Sequence, residues 1–188
     1  SPKTSNKNAG KFLFFASSGQ VHKGLDLLLE IFSQEKFPFE LYICSTFKVE
    51  ENFCTVYKKE LFHTSNIHPI GFVDIMGEQF REIAEECAFA LLPSCSEGIA
   101  GSILTVMSAG VIPFVSRECG FDDDEGIQLQ DCKIETIEQT IYHYARRSNH
   151  WIESEARRIQ QIVRDRYSKE AFIHSVQIAL QSVLLPSK

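Results

Sequence analysis

The chain has 188 residues, 44% of them hydrophobic, which suffices for one domain with a substantial core and excludes a disordered chain. Nineteen Lys and Arg against 25 Asp and Glu leave a formal net charge of -6, which speaks against a nucleic-acid or anionic-membrane partner for the domain as a whole. No apolar run has the length of a membrane span and no signal-peptide core is visible, although membrane contact itself is left open.

Ser1 to Gly10 reads as a polar lead-in, and residues 11–188 as one domain; a start at SPKTSNKNAG without Met predicts a fragment with further sequence upstream. Lys11 to Ala16 predicts a strand and Ser17 to Gly24 a polar loop. Leu25, Leu28, Leu29 and Phe32 then fall on one helix face. After Pro38, Phe39 to Cys44 predicts the second strand, Val49 to Phe62 a helix, Ile67 to Phe72 a short strand and Met76 to Cys87 a helix. Ala88 to Leu92 is a continuous apolar run of buried-strand length. A loop at Pro93 to Gly101 follows, and Ile99, Ile103, Val106 and Met107 repeat at helical spacing up to Gly110. Val111 to Val115 predicts another buried strand, with Pro113 tolerated only at an edge or irregularity. From Ile134 onward the chain is helical, with apolar stripes at Ile134, Ile137 and Ile141, at Ile152, Ala156, Ile159 and Val163, and at Phe172, Val176, Ala179 and Val183. Ser168 is placed to cap the last helix.

This alternation predicts an α/β fold: a doubly wound, Rossmann-like parallel sheet with helices on both faces and a helical C-terminal segment. Such a sheet binds ligands beyond the C-terminal ends of its strands. The loops Ser17 to Gly24 and Pro93 to Gly101 both follow strands, so they are candidates to converge on one ligand. Unpaired N–H groups and the positive end of a helix dipole at the start of the second helix suit an anion, and small residues there let it approach the backbone. Glu97 would repel an anion and reads better as an acceptor for ligand hydroxyls, or as a carboxylate that merely favours the dipole.

His22-Lys23-Gly24, Ile67-His68-Pro69-Ile70-Gly71-Phe72-Val73, Pro93-Ser94 with Glu97-Gly98, and Met107-Ser108-Ala109-Gly110-Val111-Ile112-Pro113 stand in an order and spacing that resembles a known family. They are similar to the C-terminal, donor-binding domain of retaining, group one glycosyltransferases of the GT-B fold, with the last Pro one position later than usual. The resemblance spans about residues 11 to 183, including Arg166-Tyr167-Ser168. It implies that Lys23 and Glu97 serve catalysis, Lys23 neutralising the donor diphosphate and Glu97 binding sugar hydroxyls. It also implies donor contacts from Ser18, Gly19, His22, Gly71, Phe72, Ser94, Gly98, Ile99, Ala100, Gly101 and Thr105. A nucleotide-sugar is then the donor substrate, without cofactor or metal, and an N-terminal domain absent from this chain receives the acceptor glycan or lipid. Two positions depart from the pattern. Thr105 stands where the family has a second Glu for the ribose, and Ser18 where it commonly has an Arg. These departures leave room for a non-catalytic nucleotide or sugar-nucleotide binding module, or for an interaction domain.

Other residues read plainly. Asp122-Asp123-Asp124-Glu125 offers hard oxygen ligands but reads as a solvated loop. Cys44, Cys54, Cys87, Cys95, Cys119 and Cys132 are scattered without zinc spacing, which predicts reduced thiols and a cytoplasmic protein. For Cys95, nothing in the sequence supplies a base. His22 divides evenly between a ligand contact beside Lys23 and a loop residue packed at a strand end.

Overall fold

The computed structural model describes residues 7–184, so positions 1–6 of the polar lead-in and 185–188 lie outside the described residues. In chain order the elements are β1 (Asn8–Phe15), α1 (Leu25–Phe32), β2 (Glu40–Cys44), α2 (Glu51–Val56), α3 (Lys58–His63), β3 (Ile67–Pro69), α4 (Glu78–Glu86), β4 (Cys87–Leu92) and α5 (Gly101–Ser108). β5 (Ile112–Val115), β6 (Ile127–Gln128), α6 (Ile134–Tyr144), α7 (Asn149–Arg166) and α8 (Lys169–Leu184) complete the described chain. The described strands form one sheet in the order β3-β2-β1-β4-β5-β6, and every pairing is parallel.

The chain steps outward from β1 to β3 on one side and from β4 to β6 on the other. The order therefore reverses between β1 and β4, the switch point beyond whose strand ends such sheets bind ligands. All six residues of β4 are buried, as expected of a strand covered on both faces. On one face Phe12, Phe89 and Phe114 form a row, with centroids 5.3 Å and 4.9 Å apart. Phe32 of α1 and Tyr144 of α6 meet this row edge-on.

The differences from the sequence reading have local causes. β1 starts at Asn8, inside the expected lead-in, because the Asn-Ala-Gly stretch pairs through backbone and a register shift beside β4 without any apolar signal. The single helix expected over residues 49–62 is a 3-10 turn at Phe47–Val49, then α2 and α3 with Tyr57 between them. Thr55 Oγ1 donates to the Glu51 carbonyl at 2.8 Å, a back-bond that bends helices. β3 stops at Pro69, two residues before Gly71 turns into the left-handed region at φ 98°. α5 begins at Gly101, so Ile99 lies in the loop, 53% exposed, and not on the helix. Pro113 sits in β5, second from the edge. It is tolerated because β6 pairs only from Phe114 onward and because Gly126, opposite, has no side chain to collide with the Pro113 ring. The stripe of Phe172, Val176, Ala179 and Val183 does not enter the core: no residue of α8 is buried. Among the described residues, no helix is long and apolar enough to cross a membrane.

Candidate functional site

The loops that follow β1 and β4 are joined by a close backbone approach, one backbone hydrogen bond and several side-chain bonds. Gly24 ends the loop after β1 at φ 74°, and a Cβ built on it would lie 2.4 Å from the Pro93 carbonyl oxygen, so only glycine allows this approach. The His22 carbonyl accepts from Cys95 N–H at 3.0 Å and from Ser94 Oγ at 3.1 Å. Ser94 is fully buried, and its own carbonyl accepts from Ser116 Oγ at 2.5 Å. These bonds bring Lys23, the residue after His22, opposite Glu97, two residues beyond Cys95: Lys23 Nζ donates to Glu97 Oε1 at 2.5 Å, with the two side chains 13% and 18% exposed.

That ion pair forms one wall of a cavity of about 500 Å³ at the C-terminal ends of the strands. Ala100, Gly101 and Ser102 bring the start of α5 to it. Ser17 comes from the loop after β1, Ser45 and Thr46 from the loop after β2, and Phe72, Val73, Asp74 and Ile75 from the loop after β3. Cys44 lines the wall as an inert group, because burial pushes its thiol up to about 12. The cavity thus offers one cation, two carboxylates (Asp74 and Glu97), hydroxyls on several sides, the N–H groups of a helix start and the exposed ring of Phe72. This is a set suited to a ligand that is anionic at one end and rich in hydroxyls at the other.

Of the residues singled out from sequence, Lys23, Phe72, Glu97, Ala100 and Gly101 line the cavity. Ser94 and His22 stand behind it as the fastening between the loops. Gly98 and Ile99 are exposed in the loop before α5, and Gly71, the residue before Phe72, is buried but does not line the wall. Ser18 is exposed outside it. The Gly19 N–H is already engaged, at 2.6 Å from Glu50 Oε1, and the same carboxylate accepts from Gln20 N and Nε2. Gly19 stands in a turn at φ 87°. Thr105 Oγ1 donates back to the Gly101 carbonyl at 3.0 Å, within its own helix. Ser17, Ser45, Thr46, Asp74 and Ser102 had no individual signal. Only the rule that every loop after a parallel strand sits at the ligand end would have found most of them.

The acidic run lies apart from the cavity. Asp122, Asp124 and Glu125 bring carboxylates within 4.8 Å of one another, and Arg166 at the end of α7 faces them all, bonding Asp124 at 2.5 Å and Glu125 at 3.0 Å. The guanidinium holds the Asp124 carboxyl below its ordinary range. Tyr167 O–H donates to Glu125 at 2.8 Å, so the run fastens α7 to its loop.

A parallel sheet whose order reverses beside a ligand-sized cavity defines a Rossmann-like α/β domain. The sequence pattern of the glycosyl transferases group 1 family matches residues 9–144, and the chain belongs to that family. Among curated proteins no sequence matches it. Several solved structures share the fold. A glycosyltransferase from Rickettsia africae superposes with a TM-score of 0.73 at 13% identity, over 94% of this chain and 48% of that one. The Anabaena protein Alr3699/HepE, solved with UDP and glucose, gives 0.72 at 13% identity over 95% and 49%. The C-terminal domain of a group 1 glycosyltransferase, LpcC, from Francisella tularensis gives 0.64 at 14% identity over 87% and 88%. The chain thus spans about half the length of the first two, and its fold is that of a C-terminal domain.

Proposed function

We propose that the cavity holds the nucleotide-sugar donor of a retaining glycosyltransferase and that this chain is the donor-binding domain of that enzyme. The observation that carries this reading is the meeting of Lys23 and Glu97 beside the start of α5, in a cavity at the switch point of the sheet. Lys23 meets the charge of the diphosphate together with the N–H groups of Gly101 and Ser102. Glu97 accepts hydrogen bonds from sugar hydroxyls. The diphosphate is the leaving group, so donors fixed around it stabilise the charge that develops as the anomeric bond breaks. The donor is itself a substrate, and its charge is met by side chain and backbone without a cofactor. The acceptor, a glycan or lipid, binds to a part of the full-length protein outside this chain.

The test is calorimetric titration of the chain with UDP, ADP and GDP. Binding is expected, and Lys23→Ala should weaken it by about 1.5–3 kcal/mol, the worth of a charged hydrogen bond. Equal affinity in the variant removes Lys23 from the site. Absence of binding to any nucleoside diphosphate removes the donor reading. A second reading is a binding module without turnover. It is favoured by Thr105, whose hydroxyl is committed to its own helix where the family has a ribose-binding carboxylate. Sugar transfer by the full-length protein decides between the two.

A further inference from the structure

We propose that Cys95 and His22 form a thiol–imidazole pair, that Cys95 is a site of thiol–disulfide exchange with small organic disulfides, and that the resulting mixed disulfide loosens the Lys23–Glu97 contact. The coupling to the cavity rests on the proposed donor site, whereas the chemistry of the thiol does not.

The tautomer of His22 follows from its partners. Nε2 lies 2.5 Å from the Ser96 carbonyl oxygen, which can only accept, so Nε2 carries the hydrogen of the neutral ring. Nδ1 then holds the free lone pair, and Cys95 Sγ is 3.4 Å from it. The thiol donates to a base that a third group orients, which is the arrangement of an activated nucleophile. No other cysteine has this combination. Cys95 is exposed, whereas Cys44, Cys87 and Cys119 are buried and Cys54 and Cys132 are partly covered. Burial raises all five of those thiols above the ordinary range. Cys95 also opens on a second cavity, of about 330 Å³, with Arg117, Gln130 and Asp131 on its walls, which gives an attached organic group a place to lie.

The exchange needs no reagent beyond the disulfide itself. The Cys95 proton passes to His22 Nδ1, and the thiolate sulfur attacks one sulfur of the disulfide. A new S–S bond forms to Cys95 as the old one breaks, and the departing thiolate takes the proton from the imidazolium and leaves as a thiol. The attached group removes the S–H contact to Nδ1 and crowds the ring away from Ser96. Lys23 is the residue after His22 and Glu97 the residue after Ser96, so the displacement falls directly on the ion pair in the cavity wall.

The experiment treats the chain with oxidised glutathione at pH 7 and follows each cysteine by peptide mass spectrometry. Cys95 is expected to react first, at least about tenfold faster than in the His22→Gln variant and than in the same chain unfolded in urea. The urea comparison stands if His22→Gln fails to fold. A folded-state rate no greater than the unfolded-state rate overturns the pairing. In the second arm, the glutathionylated chain is expected to bind UDP at least about tenfold more weakly, with recovery on reduction and no effect of oxidised glutathione on Cys95→Ser. Equal UDP affinity with and without the attached group overturns the coupling. If the untreated chain binds no nucleoside diphosphate, the donor reading fails while the exchange rates still decide the chemistry of the thiol.

Discussion

Gly24→Ala probes the seam between the two halves of the sheet. An alanine at φ 74° occupies the left-handed region, at a cost of about 1–2 kcal/mol. Its methyl would also stand 2.4 Å from the Pro93 carbonyl oxygen and 2.7 Å from Pro93 Cγ, so one loop must move. Overpacking of this kind adds about 1–3 kcal/mol. The expected loss is therefore about 2–5 kcal/mol, which in a domain of this size lowers Tm by roughly 5–20 °C. Urea and thermal unfolding, followed by circular dichroism, measure it. Gly98→Ala is the internal control: a Cβ there meets nothing within 4 Å and its φ is not positive, so its effect should stay within about 0.5 kcal/mol. A Gly24→Ala loss below about 1 kcal/mol, or one equal to that of Gly98→Ala, would refute the close approach of the loops.

On the proposed donor reading, Glu97→Gln in the full-length protein should lower kcat/KM for sugar transfer by at least about tenfold through a lost charged hydrogen bond, while Tm moves by only a few degrees; unchanged kcat and donor KM would give Glu97 a purely structural role. Thr105→Glu should strengthen UDP binding by up to about tenfold if a carboxylate about one turn into α5 reaches the ribose, and calorimetry showing unchanged or weaker binding in the folded variant excludes that geometry. Lys7 Nζ donates to the Ala84 carbonyl at 2.6 Å and the Cys87 carbonyl at 3.2 Å, and burial lowers its pKa from 10.5 to about 8. Between those two values the unfolded chain keeps a proton that the folded chain has lost, so stability rises with pH across that window, by up to about 3 kcal/mol. Lys7→Met should abolish this rise, and matching pH dependence of urea unfolding in the two proteins would show that Lys7 titrates normally.

The central strands were legible because β4 and β5 are covered on both faces: runs such as Ala88 to Leu92 can sit nowhere else, and the helices between them carry clear stripes, whereas the two residues of β6 are too short to carry any pattern. Lys23 and Glu97 were legible through the blocks around them. What escaped were contacts between residues far apart in sequence. Glu50 reaches back to occupy the Gly19 and Gln20 amides, which no pattern around residue 50 announces. His22 finds Cys95 only because Gly24 lets its loop lie against Pro93. The bend at Thr55 depends on a single hydroxyl finding its i-4 carbonyl, a choice that the apolar period of residues 49–62 does not encode. The cavity walls at Ser45, Thr46 and Asp74 are short polar links, and their position comes from the strands that precede them and not from their own chemistry.

The seam at Gly24 is made by the lack of a side chain against a carbonyl and a proline ring. Such a contact makes no demand on the identity of the residues that line the cavity around it. Substitutions there can retune which ligand is held while the frame stays where it is. A family built on this frame can drift far in sequence before its backbone changes, and a neighbour only 13% identical still superposes with a TM-score of 0.73. Cavity-lining positions such as 45, 46 and 102 can change in this way without touching that seam.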